Sequence, residues 1–261
     1  MVHLRKLRLT STNMLVGADL SQSFPALIEK FFQLEEVALG NFQVGDQGVI
    51  ADAVYNAANC RFLRVLGLSQ GNLVDDDLNG IGALQNTLEE LDLSSNDDLS
   101  NNALVSCSDL VNLKRLNLSD CLGLNDLSPL KDFCLNLEEL NVRHFRNSAL
   151  RDDSFKVFSE TPNSFPNLRV FSFSRCRKLT EKVFEHLAKN NHLVNKLTEL
   201  CVDGMGRILL SSSTARNNIG KLKGLQKLKR VGSELTVEER DELEGKLLQS
   251  SKSLVNVHCY A

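Results

Sequence analysis

The sequence has no tryptophan and only two tyrosines among 261 residues. Binding hot spots favour Trp, Tyr and Arg, so a tight interface anchored on aromatic rings is not evident. No run approaches the roughly 18 apolar residues of a membrane-spanning helix. The opening Met1-Val-His-Leu-Arg-Lys6 has no apolar signal core. A phosphate-cradling G-x-x-x-x-G-K-[ST] is absent. Gly80-Ile-Gly-Ala-Leu-Gln85 begins like a dinucleotide fingerprint but lacks the third glycine, so a loop and short helix are expected there. The five histidines show no i, i+4 pair and no C-x-x-C accompanies them, so no metal site is expected. Asp75-Asp-Asp77 lacks the calcium-loop frame and reads as acidic residues entering a helix, where the dipole favours them. No cofactor is implied by any of this.

Charge is also short of extremes. The net charge of −3 gives no global drive toward nucleic acid or an anionic membrane. The densest basic run, Lys221, Lys223, Lys227, Lys229 and Arg230, has no interleaved aromatics on which bases could stack, and acidic residues follow closely. It is expected to be a solvated face. Seven cysteines are an odd number without paired spacing, which points to reduced thiols in a cytoplasmic or nuclear protein.

What the chain does contain is an internal repeat. Leu88-Glu-Glu-Leu-Asp-Leu-Ser-Ser-Asn96 and Leu113-Lys-Arg-Leu-Asn-Leu-Ser-Asp-Cys121 share the frame L-x-x-L-x-L-x-x-N/C. Carried along the chain, the frame opens at Leu4, Leu34, Leu63, Leu88, Leu113, Leu137, Leu168, Leu197, Leu225 and Leu254, at intervals of 24 to 31 residues. Such spacing leaves room for a helical element between strands. Asp46–Asn59 and the segment after Thr180 show helical periodicity, and Thr236-Val-Glu-Glu239 matches a capping box ahead of Leu243, Leu247 and Leu248. Asn102–Leu110 and Leu127–Cys134 are shorter, so one or two turns are expected in each, with Ser128-Pro129 as a helix start.

The strands must run parallel, because each helical return brings the chain back to the same edge. Alternation then sends frame positions four and six into the core and positions three, five and seven outward. The Asn/Cys at position nine turns inward to serve buried backbone groups. In the Leu225 unit Arg230 takes a core leucine's place, so a shifted or frayed strand is expected there. The pairs Glu89-Glu90 and Glu138-Glu139 fall on opposite sides of their strands and are repeat grammar, not acid/base dyads. Cys201 sits between Glu199 and Asp203, which should raise its pKa.

On Asn96, Cys121 and Cys176 the sequence resembles the leucine-rich repeat superfamily. Its Cys units resemble those of F-box proteins, and its longer units resemble the ribonuclease-inhibitor subclass. The resemblance implies an α/β fold: a right-handed solenoid or horseshoe, with parallel strands on the concave face and helices on the convex face. It covers residues 1–261 as a single domain of about ten repeats. Either the chain is a piece of something longer or its first unit serves as its own cap. The resemblance further implies a non-enzymatic module for protein–protein interaction. Two alternatives stay open: the substrate-recognition part of an F-box-type ubiquitin-ligase receptor, and a GTPase-activating module.

Solenoids commonly bind along the concave sheet. Its middle is expected to be mildly acidic and to take another protein through a basic segment. The candidate partner-binding residues are Glu36, Glu90, Asp92, Arg115, Asn117, Glu139, Asn141, Arg143, Glu199 and Asp203.

Overall fold

The short Leu-x-x-Leu-x-Leu frame dictates a short strand, and a computed structural model of the chain shows why it stops. The structure describes residues 4–9, 33–40, 61–131, 134–144, 149–205, 212–231, 236–250 and 256–260. Ten strands form one parallel sheet in chain order. They are β1 (Lys6–Leu9), β2 (Glu36–Gly40), β3 (Val65–Ser69), β4 (Glu90–Asp92), β5 (Arg115–Asn117), β6 (Glu139–Asn141), β7 (Val170–Ser172), β8 (Glu199–Cys201), β9 (Lys227–Val231) and β10 (Asn256–Tyr260). Equivalent frame positions stand side by side: Leu66, Leu91, Leu116, Leu140, Phe171, Leu200 and Leu228 are register partners from one strand to the next.

Most central strands span three residues because frame position eight turns left-handed. Gln70, Ser95, Asp120, Arg175 and Gly204 all have φ between 50° and 67°. This conformation costs a non-glycine residue about 1 kcal/mol. It is held because the turn drives position nine into the interior. Asn96 is fully buried there. Its Oδ1 accepts from the amides of Gly71 (2.9 Å) and Leu73 (3.1 Å), and its Nδ2 donates to the carbonyls of Leu68 (2.9 Å) and Leu93 (2.7 Å). Cys121 is a weaker substitute, with Sγ 3.1 Å from the Leu93 carbonyl and the Asn96 amide donating to the sulfur, and Cys176 reaches the Val142 carbonyl at 3.4 Å. Gly71, which occupies the Asn position of its own unit, thus has its turn served by Asn96 of the next.

The convex side is built from short pieces: α1 (Asn101–Ser106), α2 (Val157–Glu160), α3 (Lys182–Ala188), α4 (Asn191–Lys196), α5 (Ser213–Ile219) and α6 (Val237–Ser250). Single 3₁₀ turns serve the narrower units, as at Asp75–Leu78 and Ser128–Lys131, and another, Asp152–Phe155, precedes α2 in the wider Leu137 unit. The acidic Asp75-Asp-Asp77 does enter a helix, as expected, and also ties units together. Asp77 accepts from its own unit's Val74 amide, while Asp75 accepts the amide and hydroxyl of Ser100 one unit later (2.8 and 2.5 Å). Asp152 does the same for Thr180 (2.8 and 2.6 Å), and Thr180 Oγ1 accepts from the Lys182 amide at 3.3 Å. The helix expected over Asp46–Asn59, the Asn-position Phe145, and the side chains of Glu239, Leu247 and Leu248 lie outside the described residues. Leu243 of the same stripe is buried.

Two expectations need correcting. β9 is neither shifted nor frayed: Lys227, Leu228 and Lys229 pair in frame with Glu199, Leu200 and Cys201, and Arg230 pairs onward with Cys259. Backbone hydrogen bonding to strands on both sides holds the register whatever residue occupies position six. Ser174, at an outward position seven, is buried at 1% exposure instead of facing the groove. Its unit carries Phe171 and Phe173, which join Phe155, Phe158, Phe165 and Phe184 in a continuous ring cluster with neighbouring centroids 4.8–6.1 Å apart. Such contacts add about 0.5–1.5 kcal/mol each beyond area burial.

Beside Ser174 lies His144, also fully buried, and neither ring nitrogen has a hydrogen-bond partner among the described residues. Burial holds its pKa below the ordinary imidazole value, and Asp120 opposes this only in part. A histidine with a lowered folded pKa binds fewer protons folded than unfolded, so stability rises with pH between the folded pKa and about 6.5. The expected result is a loss of unfolding free energy of up to about 1.4 kcal/mol per pH unit on acidification below about 6.5. Comparing chemical denaturation of wild type and His144→Phe at several pH values checks it; an unchanged slope in the variant removes His144 as the cause.

Candidate functional site

Two ladders of side chains cross the concave sheet. Frame position three runs Lys6, Glu36, Val65, Glu90, Arg115, Glu139, Val170, Glu199, Lys227. Position five runs Arg8, Ala38, Gly67, Asp92, Asn117, Asn141, Ser172, Cys201, Lys229. An open groove of about 580 Å³ follows these rows from Arg8 to Ser172. Seven of the ten candidate residues line it: Glu36, Glu90, Asp92, Arg115, Asn117, Glu139 and Asn141. Arg143, Glu199 and Asp203 do not.

The groove's charges do not all face outward. Glu36 is 3% exposed, held under Lys6 (3.3 Å) and Arg8. Burial alone would raise its pKa, but the hydrogen bonds and charges of Arg8 and Lys6 outweigh it and leave the carboxyl below its ordinary value. Glu199 is clamped in the same way by Lys229 and Lys227, again against the pull of burial. At the centre Glu90 pairs with Arg115, whose pKa that hydrogen bond raises. The basic ends therefore fold onto the outer acids. Among the described residues neither Glu139, which is exposed, nor Asp92 closes an ion pair, though Arg115 stands beside Glu139 in register.

Asp92, Asn117 and Asn141 carry a structural duty as well. Each accepts the backbone amide two residues on: Ser94 at 2.9 Å, Ser119 at 3.1 Å and Arg143 at 3.1 Å. These are Asx turns, repeated on three adjacent strands, and in the first two a left-handed residue follows, Ser95 and Asp120. Between Glu36 and Glu90 the sheet is nearly bare. A Cβ added at Gly67 would lie 3.0 Å from that of Ala38, so a larger residue there would have to displace its neighbour.

A third ladder runs along frame position two. Frame position two reads Arg5, Glu35, Arg64, Glu89, Lys114, Glu138, Arg169, alternating in sign along the chain. Arg5–Glu35 (3.1 Å), Arg64–Glu89 (2.6 Å) and Lys114–Glu89 (2.9 Å) close as ion pairs. Glu89 thus faces away from Glu90, as the repeat grammar requires.

Three of the described thiols are held in the neutral form. Burial pushes Cys107 and Cys121 up to about 12; burial, with Glu199 beside it, pushes Cys201 up to about 11. At pH 7.5 an alkylating reagent is expected to leave Cys107 and Cys121 unlabelled until the chain is unfolded, with Cys201 slow. Peptide mass spectrometry reads the three sites separately, and rapid native labelling of Cys121 would contradict the ladder role. No group of three or more metal-ligating side chains occurs among the described residues, and none of their helices is long and apolar enough to cross a membrane.

No protein-family model matches the sequence, and no curated protein matches it. Solved structures do. The leucine-rich repeat-containing protein LegL7 from Legionella pneumophila superposes with a TM-score of 0.61 at 16% identity, over 98% of this chain and 83% of that one. TLR13, in a complex with ssRNA13, gives 0.50 at 20% identity over 98% of this chain and 33% of that one. The internalin InlF of Listeria monocytogenes gives 0.46 at 14% identity, over 98% and 94%. The frame of leucines, the ten-stranded parallel sheet, the Asn/Cys turns and the match to LegL7 agree: this chain is a leucine-rich repeat solenoid.

Proposed function

We propose that the chain is a non-enzymatic recognition module that binds another protein along the middle of its concave sheet. The observation that carries this reading is the division of charge within the groove. Lys6, Arg8, Lys227 and Lys229 neutralise the outer acids Glu36 and Glu199, while Asp92 remains beside a bare strip at Ala38 and Gly67 and Glu139 stands two strands further along the groove. A basic segment of a partner fits that arrangement: the cation meets the carboxylates and the bare strip admits its backbone closely. Electrostatic complementarity of this kind chiefly sets orientation and on-rate.

Glu139 is the best probe, since it is exposed and accepts no turn amide. Reversing its charge is expected to weaken the partner roughly three- to tenfold at low salt and less at high salt, with an unchanged melting temperature. Asp92 is a poorer probe, because its reversal also breaks the turn to Ser94. Titrating the partner against wild type and Glu139→Lys tests the proposal. Equal affinity with Glu139→Lys, and with Glu90→Lys, rejects the groove as the site.

A further inference from the structure

The convex side carries a second candidate, independent of the groove. Where the units of Leu137 and Leu168 meet, a cavity of about 520 Å³ is lined by Arg151, Lys178, Lys182 and His186 together with four more charged residues. The acidic members are largely engaged. Asp153 pairs with Lys156 at 2.8 Å, and Glu185 with Lys189 at 2.8 Å. Asp152 spends both oxygens on the amide and hydroxyl of Thr180. Among the described residues no carboxylate lies within ion-pair distance of Arg151, Lys178 or Lys182, all three exposed. Three unpaired cations thus converge on one concavity against the single carboxylate of Asp152.

His186 gives the cavity a directional donor. Its Nδ1 lies 2.7 Å from Ser159 Oγ. The hydroxyl of Ser159 donates to the Lys156 carbonyl at 3.0 Å, its ordinary partner one turn back. With that proton committed, Nδ1 carries hydrogen and donates to Ser159, and Nε2 is the ring's remaining polar atom. Nε2 can then donate to an anion only when the ring is a cation. The same commitment rules out Ser159 as an activated nucleophile.

We propose that this cavity binds a tetrahedral dianion, the phosphate monoester, with Arg151, Lys178 and Lys182 supplying the charge and protonated His186 a directed hydrogen bond. Guanidinium and ammonium groups are the usual partners of phosphate oxygens, and a phosphate monoester carries nearly two charges at pH 7. The chemistry is shared by a phosphorylated side chain of a partner protein and by a mononucleotide.

Binding is read by following the His186 ring signals in the full chain by NMR. Inorganic phosphate is expected to shift them saturably, and Lys178→Gln with Lys182→Gln together should weaken it roughly tenfold or more. Both lysines are exposed, so the melting temperature should hold. A phosphoserine peptide tighter than AMP identifies a protein source, and the reverse a nucleotide.

Sulfate separates the role of His186, because it stays a dianion while a phosphate monoester takes up a proton at about pH 6 and inorganic phosphate at about pH 7. Burial lowers the pKa of His186, with Glu185 and Asp152 opposing and Lys189 and Lys156 reinforcing; Asp153 and Lys182 line the same cavity. Sulfate affinity should rise as pH falls through the His186 titration, and His186→Gln should remove that rise. A linear, unsaturable shift overturns the proposal. So does equal affinity in the double lysine variant, or the same response to chloride at matched ionic strength.

Discussion

Leu116→Asp is expected to abolish the folded state of the central repeats. Leu116 is 2% exposed at the middle of β5 and is flanked in register by Leu91 and Leu140. Removing a leucine from such a site costs about 2–5 kcal/mol through lost burial and the cavity left behind. The carboxylate adds several kcal/mol more, since among the described residues the core around Leu116 is apolar and offers no cation to pair with it. A domain's whole stability is about 5–15 kcal/mol, and each unit of a solenoid is held chiefly by its neighbours. The cost therefore meets or exceeds what the centre of the array can lose. Circular dichroism with urea titration is the right readout, because the chain has no tryptophan to report by fluorescence. Leu116→Ala should keep a cooperative transition at a lower midpoint, and Leu91→Asp should behave like Leu116→Asp. An aspartate variant as stable as the alanine variant would show that position four does not face a closed core.

Asn96→Ala should produce the next largest loss, on the order of 4 kcal/mol, because it strips partners from several buried backbone groups at once. The amides of Gly71 and Leu73 lose their acceptor, and the carbonyls of Leu68 and Leu93 lose a donor. Cys121→Ala should cost far less. Its thiol makes only weak sulfur bonds, to the Leu93 carbonyl at 3.1 Å and the Ser119 carbonyl at 4.0 Å and from the Asn96 amide, and about 1–2 kcal/mol covers them and the small cavity. Asn96→Cys distinguishes the two ladder chemistries. It restores a donor but no strong acceptor, so it should recover only part of the loss. Denaturant midpoints of the three variants measure this order, and equal losses for Asn96→Ala and Cys121→Ala would mean that the amide's acceptor half contributes nothing.

Much of this was readable in the sequence because the frame fixes sides. Leu88, Leu91, Leu93 and Asn96 are all buried where the periodicity puts them, and the same rule separated Glu89 from Glu90. What the frame does not encode is competition among outward residues. It assigns Glu36 and Glu199 to the groove, but only the sheet register reveals that Lys6, Arg8, Lys227 and Lys229 stand on the neighbouring strands and cover them. It assigns Asp92, Asn117 and Asn141 a binding role, though an Asx residue just past the strand's last core leucine, accepting the amide two residues on, is itself a sequence signal of turn duty. Ser174 went inward where period two puts it outward. The alternating charges at position two were present in the sequence and needed only to be aligned. The convex cavity could not have been foreseen, because Arg151 and Lys178 come from different units and meet only through the stacking of their loops.

The central claim is that the partner protein lies on the concave sheet. A photo-reactive amino acid placed at Glu139, with a second variant carrying it at the exposed convex residue Val105, tests this most directly. Cross-linking in cells that express the chain is expected to trap a protein from position 139, through a segment rich in lysine or arginine, and not from position 105. A partner trapped from 105 and never from 139 would contradict the account.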